Sequence, residues 1–540
     1  MKKRRGLRLL LSYIRRYKKY IVVPTVFGAA SALLSVGFSL LLRALINGAV
    51  SGVAPKALLM LGAWVLLAIV LQTLLSAASE WMGAKLRISV TNEIKADMFS
   101  KISGAEYRAQ GAFHSGDLMT RIGRDVPHVT SFLLDALPLM FTLSVQFLAS
   151  LIVLFMLDRI MCAIALAAGP LLLLMSVFFG RKIRGLQKNV MKKEGEQTGF
   201  LQEALQNMTL IRAFSMQGHH EKKLYALQEE YKEAVLARTK VSLLSKCMLG
   251  LLSWAAYIAA FSWAVFRLYN KTIGFGDVTA FLQLSAGVRD PLTGMAPIYA
   301  AMLTALTSIE RMEEILLLEE EEKGKKPTDG TFLQIRGENL YFSYTPEKPV
   351  LDNLSFCIQK GTFLGICGPS GQGKTTLLYL LLGLLKPQRG TLVWEGEQSI
   401  PISAATRSLF SYVPQGNTLF SGTVRENVLF GEEKTEKEIE AALSCACALD
   451  FVKKLPQGVD TVIGEKGVGL SEGQAQRIAI ARAILRGKDI LLLDEAASAL
   501  DEATEKALVQ NIKAYYKEKT VIWITHRKSI AALCDAVLEV

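Results

Sequence analysis

Long apolar runs separated by charged stretches fill the first 309 residues, and then the pattern changes. Six runs stand out: Ile21–Leu42, Ala57–Ser79, Phe132–Leu157, Ile160–Gly180, Cys247–Tyr269 and Val278–Leu306. Each holds about the 17–25 residues, or more, that carry a helix across the hydrocarbon core of a bilayer. Two long connections, about Glu80–Ser131 and Arg181–Lys246, carry charge of both signs but few turn residues. Leu201, Leu205, Met208, Ile211 and Phe214 keep helical spacing inside the second. Both connections are therefore expected to be helical arms leaving the membrane and returning. Breaks at Gly111–Gly116 and around Asn207–Thr209 would mark short transverse helices at their tips.

Beyond residue 310 the period shortens. Glu310–Lys326 is a charge run that reads as a solvated helix end and linker, closed by Pro327-Thr328-Asp329-Gly330. Leu333-Gln334-Ile335 and Leu354-Ser355-Phe356 alternate like half-buried strands, whereas Phe363–Cys367 and Ile490–Leu493 are continuous apolar runs, like strands buried on both faces. The expected architecture is an all-α six-helix transmembrane domain followed by an α/β domain. Its divisions are an interfacial N-terminal helix (1–20), a membrane domain (21–310), a linker (311–330) and the α/β domain (331–540).

Composition and charge refine this picture. The 540 residues are 51% hydrophobic and 21% charged, which excludes a disordered chain, a collagen and a disulfide scaffold. Residues 1–309 hold 35 Lys/Arg against 17 Asp/Glu, and residues 310–540 hold 27 against 32. The basic residues border the apolar runs, so the partner they imply is an anionic membrane surface and not nucleic acid. Nine of them fall in the first 20 residues, while the loops after the first, third and fifth runs hold almost none. By the positive-inside rule the N-terminus, both long connections and the second half are cytosolic, with a bacterial inner membrane as the default location. Leu7–Tyr20 reads as an interfacial helix with Tyr13, Tyr17 and Tyr20 at headgroup level. The first apolar run is too long for an ordinary signal peptide and is taken as a retained helix. Seven cysteines without metal-ligand spacing suit reduced, packed thiols.

The chemistry is concentrated in the second half. Gly368-Pro369-Ser370-Gly371-Gln372-Gly373-Lys374-Thr375 lies between an apolar strand and the helical Leu377–Leu385. A G-x-x-x-x-G-K-T run in that setting is a P-loop: glycines let backbone amides close around phosphate oxygens at a helix N-terminus. Lys374 would reach the terminal phosphates of ATP, Thr375 would hold Mg²⁺, and Thr376 follows on the same turn. Ile490–Leu493 ends in Asp494-Glu495, placing a magnesium-organising carboxylate beside a candidate general base. In the membrane half, Arg289-Asp290-Pro291 interrupts the sixth run, either as a wall of a substrate path or as a self-neutralising pair beside a proline kink. Gln72 and Gln146 read as interhelical hydrogen-bonding residues.

The remaining motifs carry a family resemblance. Leu470-Ser471-Glu472-Gly473-Gln474 resembles the signature of ABC transporter ATPases, and Ser498-Ala499-Leu500-Asp501 looks like their D-loop. Val413-Pro414-Gln415 resembles the Q-loop and Thr525-His526 the switch histidine. Tyr344 is placed like the adenine-stacking aromatic, and Gly464-Glu465-Lys466-Gly467 resembles the exporter X-loop. With six spans ahead of one ATPase, the whole chain resembles a half-transporter of the ABC exporter type. The resemblance implies a dimer, with itself or a relative, in which Ser471, Gly473, Gln474 and Asp501 of one chain meet ATP held by the other. It also implies Gln415 as a further Mg²⁺ contact, and Glu495, Gln415 and His526 as the hydrolytic set. The substrate implied is an amphipathic small molecule, lipid or peptide, moved outward by alternating access. An importer on the same fold, or an ATP-gated channel or regulator that does not pump, are the other readings. Two departures are visible: Glu472 stands where the common signature has glycine, and the chain stops soon after His526, which leaves the family's C-terminal subdomain in question. Glu472 is expected to point away from phosphate.

Overall fold

The computed structural model describes residues 2–111, 113, 115–324, 332–345, 348–369, 371–416, 418–464, 467 and 469–540. The Pro327–Gly330 boundary, Ser370, Glu465 and Lys466 lie outside them. Two units emerge: residues 1–101 with 114–317, and residues 102–113 with 318–540.

The first unit is helical. Its elements are α1 (Lys2–Arg16), α2 (Lys18–Val50) and α3 (Pro55–Ser103); α4 (Tyr107–Gly111) belongs to the second unit. Then come α5 (Ser115–Thr120), α6 (Val126–Ser131) and α7 (Leu137–Leu157), joined through π-turns at Arg121–Asp125 and Phe132–Ala136. α8 (Arg159–Gln206), α9 (Met208–Ala213), α10 (Gln217–Tyr269) and α11 (Phe275–Leu316) complete it. Among the described residues, five helical stretches are long and apolar enough to cross a membrane: α2, α3, the run from α5 through α7, α10 and α11. The remaining expected span, Ile160–Gly180, lies inside the single continuous helix α8. At 1.5 Å per residue, the 49 residues of α3 extend about 74 Å, far beyond a ~30 Å hydrocarbon core. The expected breaks appear at both tips, with the short helices α4 and α9.

Small residues let these helices approach. A side chain at Gly28 would strike Thr142, one at Gly287 would strike Ser150, and one at Gly276 would strike the Arg43 carbonyl. Charged residues fasten the ends. Arg43 pairs with Asp277, whose carboxylate also accepts the Gly274 amide at 2.6 Å. At the other end the buried Asp125 accepts from Ser308 at 3.0 Å and faces Arg311 at 3.4 Å. Tyr17 is buried and stacked on Tyr13, where the chain turns between α1 and α2. Arg289 and Asp290 form an ion pair at 3.0 Å, the geometry of the self-neutralising reading.

The second unit is α/β. β1 (Gln334–Thr345) and β2 (Lys348–Gln359) precede β3 (Phe363–Cys367), α12 (Lys374–Leu381), β4 (Arg389–Glu395), β5 (Ser399–Pro401) and β6 (Phe410–Val413). A peripheral segment follows: β7 (Gly422–Thr423), α13 (Val424–Leu429), α14 (Glu436–Cys445), α15 (Leu449–Lys453) and β8 (Val462–Ile463). α16 (Glu472–Arg486), β9 (Ile490–Asp494), α17 (Glu502–Tyr515), β10 (Thr520–Ile524), α18 (Lys528–Ala531) and β11 (Ala536–Glu539) end the chain. One sheet runs β2-β1-β4-β5, antiparallel; the other runs β11-β3-β10-β9-β6, parallel throughout. Every residue of β9 and β10 is buried, as a parallel strand covered on both faces requires. Their alternate side chains feed two cores. Leu492, Ile522 and Ile524 pack with α12 and the antiparallel sheet; Leu491, Leu493 and Trp523 pack with α13, α14, α16 and α17.

The charge run before the ATPase unit is more engaged than the sequence implies. Glu321 pairs with Arg407 and Glu322 with Lys386 at 2.8 Å. The same segment pairs with the tip of the first connection: Ala105 bridges Glu320, the Glu106 amide donates to Glu319, and the Glu321 amide donates to Gly104.

Candidate functional site

In a parallel sheet all carboxyl ends lie on one edge, where loops to the following helices leave room for a ligand. Cys367, Val413, Asp494 and Ile524 end β3, β6, β9 and β10 along that edge, with Ile524 paired with both Asp494 and Ile366 and Val413 paired with Leu493. The P-loop leaves β3, Gln415 leaves β6, Glu495 leaves β9 and His526 leaves β10. Residues scattered over some 150 positions of sequence converge for this topological reason.

The P-loop turns on glycine. Gly371 and Gly373 have φ of 85° and 96°, the left-handed region, and a Cβ at Gly373 would meet Val350 at 2.8 Å. The loop delivers Lys374 to the first turn of α12, where its ammonium donates to the carbonyls of Gly368 and Pro369, both at 2.8 Å. Tyr344 sits half-exposed above this helix, its hydroxyl 3.3 Å from Thr376. Arg108, from α4, donates to the Tyr344 carbonyl at 3.0 Å and lies over the Phe342 ring. Tyr107 of the same tip packs its ring on Tyr379, 5.2 Å between centroids.

At the end of β9 the Asp494 carboxyl is buried. Burial first, and then the Glu495 charge, push its pKa up to about 6, against the Thr375 hydroxyl and Lys374, which pull it down. Its Oδ1 is buried without a hydrogen-bond partner. A buried carboxylate oxygen left open beside a threonine hydroxyl fits a hard divalent cation that takes its other ligands from phosphate and water.

Glu495 is held in the left-handed region, φ 49°, an unusual state for a residue with a Cβ. Its two oxygens are taken by two different neighbours. Gln415 Nε2 donates to Oε2 at 2.8 Å, and His526 Nε2 lies 2.7 Å from Oε1. Beside Glu495, His526 and Ser498 lies a cavity of about 110 Å³, room for a few waters.

The signature residues stand apart from this cluster. Ser471 caps α16: its hydroxyl accepts the Gln474 amide at 3.3 Å, and its own amide donates to Gln474 Oε1 at 2.9 Å. Glu472 is exposed, and a Cβ at Gly473 would meet the Ala499 carbonyl at 2.8 Å. Asp501 caps α17 by accepting from the Thr504 amide and hydroxyl, which holds its carboxyl below the ordinary range. Among the described residues no hydrogen bond links Ser471, Gly473, Gln474 or Asp501 to Lys374, Asp494 or Glu495 of the same chain.

Three supporting residues escaped the sequence reading. The buried Gln476 donates to Ser498 Oγ at 3.0 Å and accepts from the Ala499 amide at 3.3 Å. Arg527 pairs with the buried Glu505 and donates to the Leu500 and Ser498 carbonyls. Arg108 is the third. Only Gln476 left a signal in the sequence, as a polar residue on the apolar face of a helix.

Comparison with known families settles what this arrangement belongs to. The profile of the ABC transporter transmembrane region matches residues 21–292, and that of the ABC transporter matches residues 351–498. The chain belongs to the ABC transporter family. Both halves of this ABC transporter, the helical region and the ATPase, lie on one polypeptide, as in its relatives. A Rickettsia bellii protein carrying an export ATP-binding/permease name is 28% identical, over 97% of this chain and 92% of its own. An ATP-dependent lipid A-core flippase of Syntrophus aciditrophicus is also 28% identical, over 88% and 80%. The structure of a bacterial Atm1-family ABC exporter with ATP bound superimposes with a TM-score of 0.77 at 22% identity, covering 98% of this chain and 94% of that one. The ABC transporter thus has the exporter fold: a helical transmembrane region followed by an α/β ATPase.

Proposed function

We propose that this protein couples hydrolysis of ATP to outward movement, or flipping, of an amphipathic substrate by alternating access, working as a dimer of half-transporters. The observation that carries the reading is the bracketing of Glu495 by Gln415 and His526 beside an intact P-loop, on a chain that also supplies membrane-spanning helices. Lys374 and the P-loop amides hold the phosphates, and Tyr344 stacks on the adenine. Thr375, Asp494 and Gln415 would hold Mg²⁺, which would supply charge neutralisation at the phosphates. Glu495 accepts the proton of the attacking water, while His526 and Gln415 fix its two oxygens. Among the described residues no hydrogen bond ties Ser471, Gly473, Gln474 or Asp501 to Lys374, Asp494 or Glu495 of the same chain, which supports their serving the nucleotide of a second copy or a related half-transporter. ATP then favours the closed pair and its products the open one, and that difference in affinity drives the helices between inward and outward states. The basic N-terminus supports an orientation with the ATPase in the cytosol of a bacterial inner membrane.

The test is turnover and transport in proteoliposomes. Wild-type protein, alone or with a partner half-transporter, is expected to hydrolyse MgATP and accumulate an amphipathic probe when the ATPase faces outward. Glu495→Gln is expected to lower turnover by about 10²–10⁴-fold while ATP still binds. Unchanged turnover in that variant sinks the reading.

A further inference from the structure

A cavity of about 690 Å³ lies in the helical unit between α2, α3 and the helix that runs from the second π-turn into α7. It is built from three facing stripes. Gln72, Ser76, Ser79, Glu80, Gly83, Ala84 and Arg87 of α3 recur at three- and four-residue spacing, the period of one helix face. Pro24, Gly28, Ser31, Ala32 and Ser35 do the same on α2. Leu134, Asp135, Pro138, Leu139, Thr142 and Gln146 do so on the third helix.

The lining is not that of a packing defect. Gln72 and Gln146, expected to bond helix to helix, line this space instead. Only the backbone carbonyl of Gln72 is engaged across helices, accepting from Ser31 at 3.3 Å. Ser79 donates to the Pro24 carbonyl at 2.9 Å and so fixes α3 against α2. The charged groups gather at the end nearer the α3 arm. There Asp135 is matched by Arg87 and by the Ser131 hydroxyl at 2.9 Å. Glu80 has no ion-pair partner among the described residues, so the lining carries one net negative charge. A carboxylate kept at the edge of the hydrocarbon zone is costly, and such groups mark ligand paths. The volume lies in the range of drug-sized ligand sites.

We infer that this cavity binds an amphipathic amine, its ammonium at Glu80 and its hydrogen-bonding body along the serine, threonine and glutamine stripes. The assignment rests on the exporter reading for its purpose but not for its measurement, because binding is read without ATP. The amine can come from a soluble amphipath or from an amine-bearing lipid headgroup.

The experiment uses the full chain in nanodiscs of phosphatidylglycerol, with dansylcadaverine as the fluorescent amine and its neutral N-acetyl derivative as control. Saturable binding of the amine at least tenfold tighter than of the acetyl derivative is expected. Glu80→Gln should cut that preference at least fivefold, and Thr142→Trp, which fills the cavity, should weaken both probes. Phosphatidylethanolamine that displaces the probe identifies a lipid amine as a second source of the same chemistry. Equal binding of the two wild-type probes, no saturable binding, or an unaltered preference in a folded Glu80→Gln protein overturns the assignment. ATP turnover by the same preparation separates the two readings: turnover without amine selectivity removes this site and leaves the transporter, whereas selectivity without turnover does the reverse.

Discussion

Arg527 follows His526, but its own work is to hold the 498–500 turn. Its guanidinium is the partner of Glu505, whose side chain is 2% exposed, and it ties down two carbonyls of the 498–500 turn. Arg527→Gln leaves a buried carboxylate without its counter-charge. Fully buried pairs broken this way cost 3–5 kcal/mol; the half-exposed arginine lowers the figure to about 2 kcal/mol. Thermal unfolding of the ATPase unit should shift down by roughly 4–8 °C. The thiols differ as sharply. Cys357 is exposed, whereas burial pushes Cys445 up to about 12. Iodoacetamide at pH 8 should therefore label Cys357 and spare Cys445 until the protein unfolds, as peptide mapping will read. Because the folded thiol holds its proton longer than a free one, this group's contribution is intact below about pH 9 and is lost as the pH rises toward 12. At this scale the sequence announces residues whose chemistry fixes their neighbours, such as Lys374 after its glycines or Asp494 after its apolar strand. It is silent on Arg527 and Arg108, whose partners lie 22 and 236 positions away.

α16 joins signature and turn. Its N-terminus carries Ser471, its buried face carries Gln476, and the two hydrogen bonds of that amide fasten the turn at Ser498 and Ala499. Gln476→Leu fills nearly the same space and removes both bonds. A loss of about 1–3 kcal/mol is expected, measurable by urea unfolding followed through the buried Trp523. Elements were legible where a physical requirement spans many residues. A bilayer demands a long apolar run, and a strand buried on both faces demands a continuous one. The continuation of α3 past Ser79 follows the helical arm that the few turn residues of that connection predict. The π-turns at Arg121–Asp125 and Phe132–Ala136 left no recognisable mark. The burial of Tyr17 was not legible, because amphipathic spacing does not reveal where a helix turns.

At the scale of the molecule, the five stretches among the described residues that have the length and apolar character of spans imply a protein that leaves the membrane only with detergent. High-salt or alkaline washing of membranes should leave it in the pellet, and a non-ionic detergent should release it, as immunoblotting will show. The division into a helical and an α/β half was legible from the change of period near residue 330. The division of the chain in space was not, because residues 102–113 join the ATPase unit from more than 200 positions upstream.

That excursion has a practical consequence. The ATPase unit is a mosaic of two stretches of polypeptide, sewn together by the backbone bonds of residues 104–106 to 319–321 and by Tyr107 and Arg108. A fragment cut at the linker and expressed alone would leave Tyr379 and Phe342 without the rings and guanidinium that cover them. Supplying the missing dozen residues as a peptide offers a way to repair it.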